Sequence, residues 1–134
     1  SVSYEPRRSF IAALLGVELW MPHLRICVYN KLDSPATFDI ESVEIRAGSS
    51  WLGGDFVAGG EGPGLPLNLK PRSIDCTEVE LNRWNRNHFS DPDKKVLKPG
   101  TYTVVVTGML ERETEPGTRV ALRVSLRYVF TVQP

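Results

Sequence analysis

From Thr118 to Val132, apolar and polar residues alternate almost without a break. Val120, Leu122, Val124, Leu126, Tyr128, Phe130 and Val132 share one side, while Arg119, Ala121, Arg123, Ser125, Arg127, Val129 and Thr131 share the other. That period of two specifies a β-strand with one face in a core, because a helix would scatter the same apolar side chains around its axis. Burying one of them contributes roughly 1.5–3 kcal/mol. Fixing the backbone costs about 1–2 kcal/mol for every residue. The strand is therefore stable only against an apolar layer that the rest of the chain must provide. Its polar side carries Arg119, Arg123 and Arg127. We read these as a solvated face that blocks edge-to-edge pairing; the functional reading is a cationic stripe for an acidic partner.

The remaining segments supply further strands. Residues 24–30 set Leu24, Ile26 and Val28 against Arg25, Cys27 and Tyr29. Residues 37–46 carry Phe38, Ile40, Val43 and Ile45, and the phase change between Ile40 and Val43 predicts a bulge or bend. Residues 74–81 set Thr77, Val79 and Leu81 against Cys76, Glu78 and Glu80. Residues 102–110 alternate as well. A charged connection at 113–117, containing Pro116-Gly117, delivers them into the strand at Thr118 as an antiparallel pair. Residues 10–20 mix helix formers with Val17 and Leu19 and are read as strand; residues 1–4 are read as a short edge strand. Two segments differ in material. Residues 47–66 hold seven glycines and two prolines, which predicts a long functional or mobile loop with room for an irregular strand at 51–57. Residues 82–98 are polar and charged, with a turn at Asp91-Pro92-Asp93.

At 134 residues, one domain covering 1–134 is expected. Sixteen basic residues balance sixteen acidic ones, so nothing draws the chain globally to nucleic acid. No apolar run approaches the ~20 residues that span a bilayer. Arg7-Arg8 ahead of residues 10–17 has the order of a signal peptide, but Glu18 closes the run and no small-residue cleavage site follows. We read that segment as packed inside the domain. Cys27 and Cys76 fall on the outward faces of their strands and could neighbour each other; register decides whether they bridge. No Asn-X-Ser/Thr sequon is present. A core of this size needs no staple, so free thiols and a soluble protein leaning to the cytoplasm are expected.

Three pieces in order, LRICVYNKLDSPATFDI (24–40), LPLNLKPRSIDCTEVEL (65–81) and LKPGTYTVVV (97–106), resemble the immunoglobulin-like β-sandwich superfamily in its non-antibody form. The resemblance implies an all-β, antiparallel two-sheet immunoglobulin-like sandwich of about seven to eight strands. It also implies that Tyr102 forms a tyrosine corner, its hydroxyl bonded to nearby backbone. Val104 stands where antibody domains place a cysteine. Residues 79–104 are further similar to the N-terminal sandwich segment of deuterolysin-type metallopeptidases, and the layout to bacillar intracellular proteinase inhibitors. The peptidase His-Glu-x-x-His is missing, since Leu24 follows His23 and Phe89 follows His88. The resemblance thus implies an accessory or inhibitor-like module.

Chemistry has few footholds. The two histidines lack ligand spacing, and Asp55, Asp91 and Asp93 suit a turn better than a calcium loop. Ser90 beside His88 and Asp91 has the letters of a triad without the strained elbow. The run GGEGPG (59–64) is not followed by Gly-Lys-Ser/Thr. Neither metal nor cofactor is expected. Trp20, Trp51 and Trp84 are the best binding candidates. The favoured function is a non-enzymatic binding module. Its loops 47–66 and 82–98 would meet a protein or glycan partner through Trp51, Phe56, Trp84, Arg86, His88 and Phe89. The alternative is a proteinase inhibitor or peptidase accessory domain that inserts the 52–64 loop into a cleft.

Overall fold

The computed structural model describes residues 12–20, 23–56, 65–81, 83–84, 89–91 and 96–134. All regular structure among them is β. In chain order the strands are β1 (Ala12–Trp20), β2 (His23–Asn30), β3 (Ala36–Ala47), β4 (Ser50–Phe56), β5 (Leu65–Leu69), β6 (Ile74–Glu80), β7 (Arg83–Trp84), β8 (Phe89–Asp91), β9 (Val96–Leu97), β10 (Gly100–Glu115) and β11 (Thr118–Val132). The narrow sheet runs β1-β2-β6. The broad one runs β11-β10-β3-β4-β7, with β5 beside β3, and β8-β9 form a small hairpin. Every pairing is antiparallel. The architecture is a two-sheet antiparallel sandwich. It has more strands than expected because both polar stretches contain short ones.

Alternation builds the core as the sequence indicates. Leu24, Ile26 and Val28 of β2 face Phe38, Ile40, Val43 and Ile45 of β3 and Val104, Val106 and Leu110 of β10, all buried. In β11, Val120 and Leu126 are buried and the other inward residues half-buried, whereas the three arginines are exposed. Residues 12–20 join the same core as a strand through Ala12, Leu14, Val17 and Leu19.

The phase change in β3 is a bulge. Thr107 of β10 stands opposite Ser42, and Gly108 opposite Ile40, leaving Glu41 as the extra residue. At that point β3 also exchanges partners, pairing β5 over Ala36–Ile40 and β4 over Ser42–Ala47. Gly108 permits the kink: a Cβ there would lie 2.2 Å from the Asp39 carbonyl oxygen and 2.9 Å from the Phe38 ring.

One end of the sandwich is closed by Asn30, which is 0% exposed. Its amide Nδ2 donates to the carbonyls of Ser34, Leu69 and Lys70 at 2.9, 3.2 and 3.2 Å, and its Oδ1 accepts from Leu32 N–H at 3.0 Å. A buried polar group with every valence filled repays its desolvation. Here it also ties the end of the narrow sheet to the end of β5 in the broad one. Tyr102 is buried, and its hydroxyl donates to the Lys98 carbonyl, the bond expected of it. Its ring stacks on Phe130 with centroids 5.5 Å apart.

Three expectations need correction. Cys27 and Cys76 are not free thiols: they stand directly opposite in the β2–β6 register, 4.1 Å apart at Cα, and are disulfide-bonded. Residues facing each other on adjacent antiparallel strands bring their Cβ atoms within bridging range, so in-phase pairing decided what composition could not. The glycine-rich stretch is not a loop from residue 47 onward. β3 runs to Ala47, Gly48 takes the left-handed conformation (φ 62°) that a tight turn needs, and β4 follows at Ser50. The connection at 113–117 shrinks likewise to Pro116-Gly117, because β10 and β11 pair out to Glu115 and Thr118. The edge strand read at 1–4, the stretch 57–64 and the turn at Pro92-Asp93 lie outside the described residues.

Candidate functional site

The turn of the β3–β4 hairpin lies at one end of the broad sheet, and Trp51 is the second residue of its return strand. Trp51 stands opposite Arg46 and remains 39% exposed. Register continues the row through Thr103 of β10 to Val129 of β11, itself exposed. Arg46 is ion-paired with Glu44, its neighbour on the same face. Between Ile45 and Arg46 the register slips by one residue, with Leu52 as the insertion. The slip sets Trp51 in phase with Arg46 on the outer surface.

Of the other expected residues, Phe56 pairs with Ser42 on the same hairpin. Trp84 lies in β7 opposite Gly53, one strand beyond Trp51. Phe89 pairs with Leu97 in the β8–β9 hairpin, which belongs to a different sheet. Arg86 and His88 lie outside the described residues. The two long polar stretches therefore meet where β4 pairs with β7, Gly53 opposite Trp84 and Gly54 opposite Arg83, while Trp51 and Phe56 lie toward opposite ends of β4.

The hairpin end of the broad sheet sets an indole, a guanidinium and the Thr103 hydroxyl in one cross-strand row. Among the described residues no three His, Cys, Asp or Glu side chains cluster for a metal. Both cysteine sulfurs are committed to the disulfide. Among the described residues two groups titrate away from their ordinary values, each for a structural reason. Asp33, hydrogen-bonded at 2.8 Å, raises the Arg72 guanidinium, and burial pushes the Tyr102 phenol up.

A groove of about 250 Å³ lies elsewhere on the broad sheet, lined in part by Thr37, Asn68, Lys70, Glu111 and Arg119. Its charges are engaged locally: Arg119 donates to Glu111 at 3.2 Å, and Glu113 accepts from Gly117 N–H at 3.1 Å. The outward stripe of β11 is similarly occupied, with Arg123 on Glu41 at 2.7 Å. Those pairs fit a solvated, self-neutralised face. Sequence reasoning named Trp20 as a binding candidate but built the expected site from the two loops, not from the outer face of the narrow sheet. There Trp20 is 45% exposed and stacked on His23. The signal was present in β1, where Trp20 and Glu18 fall out of phase with the half-buried Leu19 and Val17. No helix among the described residues is long and apolar enough to cross a membrane. Comparison with known proteins finds no matching family model and no significantly similar curated protein.

Proposed function

We propose that the chain is a non-enzymatic binding module that offers the β3–β4 hairpin and the neighbouring 82–98 segment to a protein or glycan partner. The observation that carries this reading is Trp51, exposed and paired opposite Arg46 on the β3–β4 hairpin. Tryptophan and arginine are the side chains that dominate binding hot spots, and strands hold them without an ordering cost on contact. The Tyr102–Lys98 bond supports the likeness to immunoglobulin-like modules, which also present loops from sandwich ends. The Cys27–Cys76 bond favours an oxidising compartment over the cytoplasm.

The test uses wild-type chain and Trp51→Ala side by side on a glycan array and in crosslinking against candidate protein partners. Trp51→Ala should weaken the principal interaction by about tenfold or more with an unchanged unfolding midpoint. Equal binding by both chains would remove Trp51 from the site. A protease panel run in parallel separates the inhibitor reading, which requires inhibition at stoichiometric concentrations.

A further inference from the structure

Register arranges the outward residues of the narrow sheet in rows. Trp20, His23 and Glu80 form one row; Glu18, Arg25 and Glu78 form the next; Gly16, Cys27 and Cys76 form the third. The Trp20 ring stacks on His23 with centroids 6.3 Å apart and planes 25° from parallel. Arg25 sits in register between two carboxylates, yet among the described residues no ion pair joins it to either. In the third row β1 bulges at Leu15, which is 53% exposed. A Cβ on Gly16 would meet nothing within 4 Å. A groove of about 330 Å³ opens there, lined by Leu15, Gly16, Glu18, Arg25 and Cys27, and by Tyr128 from the edge of the broad sheet.

We infer that this face is a saccharide-binding platform selective for neutral, equatorially substituted pyranose chains. Such a ring has an apolar C–H face and a rim of hydroxyls. The exposed indole of Trp20 takes the apolar face. Glu18 and Glu78 accept hydrogen bonds from hydroxyls, and the Arg25 guanidinium donates to them. Rows two residues apart along a strand are about 7 Å apart, so one sugar on Trp20 places the next over the charged row and the groove beyond it. Charge decides the class of ligand. Glu18, Glu78 and Glu80 outnumber Arg25, which repels sulfated or uronic saccharides and phosphates. Arg25 at the centre of the face opposes a cationic peptide. The site is on the opposite sheet from Trp51 and stands without it.

The experiment titrates the chain calorimetrically with two probes, the β-1,4-linked hexamers of glucose and of N-acetylglucosamine, and with a lysine hexapeptide. One of the saccharides should bind. Trp20→Ala should weaken it by about tenfold or more, Trp20→Phe by less, and Arg25→Gln by about fivefold. Arg123→Gln, on the outer face of the broad sheet, should leave it unchanged. Trp20→Phe and Arg25→Gln carry the test if Trp20→Ala fails to fold. Binding of neither saccharide, or binding that survives these substitutions or falls equally with Arg123→Gln, overturns the proposal. So does preference for the lysine peptide, or concentration-dependent self-association abolished by Trp20→Ala, which would give the face to a cationic peptide or to a second copy.

Discussion

The two sheets share a core but finish their outer faces by different rules. On the broad sheet most polar side chains satisfy one another. Arg123 pairs with Glu41, Arg119 with Glu111 and Arg46 with Glu44, while Thr107 and Ser125 approach to 3.1 Å and Thr101 and Thr131 to 3.4 Å. Asp39 is one exception, with one carboxylate oxygen buried and lacking a hydrogen-bond partner among the described residues, and Arg127, without an ion pair among them, is another. The narrow sheet exposes Trp20, Leu15 and Ile74 and leaves Glu18, Arg25 and Glu78 without ion pairs among the described residues. The broad sheet spreads its stability over long cross-strand ladders. The narrow one, with three strands, rests on its buried face and on one covalent bond. A surface whose polar groups do not complete each other is the surface with valences left for something else.

The largest expected effect follows from that bond. It closes a sequence separation of 49 residues, for which chain entropy gives about 4 kcal/mol. The double substitution Cys27→Ser, Cys76→Ser should lower stability by about that amount in a denaturant titration. Hydrogen exchange should show the loss first in β1, β2 and β6, with β10 protected longest. Uniform loss across both sheets would break the distinction between them.

Next comes the link between the sheets. Asn30→Ala leaves three carbonyls and one N–H at the closed end without their side-chain partner. Buried groups left unpaired cost about 1–3 kcal/mol each when water cannot reach them, and partial hydration of Ser34 and Lys70 limits the total to about 3 kcal/mol. Chemical denaturation measures it. A cost below about 1 kcal/mol would mean that the sheets are joined by apolar packing alone.

Much of this fold was legible because its strands are amphipathic. Period two in β11, β10 and β2 identified both strands and faces, and the phase change at Glu41 located the bulge. What stayed hidden was the pairing of residues distant in sequence. Cys27 and Cys76 were correctly placed on outward faces, but only the β2–β6 register shows that they face each other. Asn30 was read only as the end of the strand at 24–30, and nothing local reveals the three carbonyls it collects from two separate turns. The strand β4 was obscured because its glycines carry no hydrophobic pattern; β3 provides its order through pairing. For the site, Trp51 could be named as exposed, whereas its alignment with Arg46 depends on a slipped register. Trp20 was named as a binding candidate, but its place on an outward row beside His23 depends on the β1–β2 register.

A smaller effect tests the closure of the broad sheet. Tyr102→Phe removes the bond to Lys98 and should cost about 0.5–1.5 kcal/mol at neutral pH. Burial also raises the phenol above its ordinary value near 10. Above that pH the unfolded chain releases the proton while the folded chain keeps it, so stability falls as pH rises further. Wild type should therefore lose stability more steeply than Tyr102→Phe above pH 10, narrowing the gap between them. A gap that is constant with pH would place the hydroxyl in contact with water.

The smallest effect discriminates most directly between the two faces. Arg123 and Glu41 are both solvated, so their 2.7 Å contact is worth about 0.2–1 kcal/mol. A double-mutant cycle with Arg123→Gln and Glu41→Gln should return a coupling in that range, and high salt should screen it. The matching cycle on the narrow sheet, Arg25→Gln with Glu78→Gln, should return no coupling above error, although the two residues stand opposite in register. Register alone brings charges near; a coupling requires the side chains to commit to each other, and on this face they have not. Equal couplings on the two sheets would show that Arg25 is already spent on its neighbour. The narrow face would then be as self-contained as the broad one, with no free guanidinium to offer a ligand.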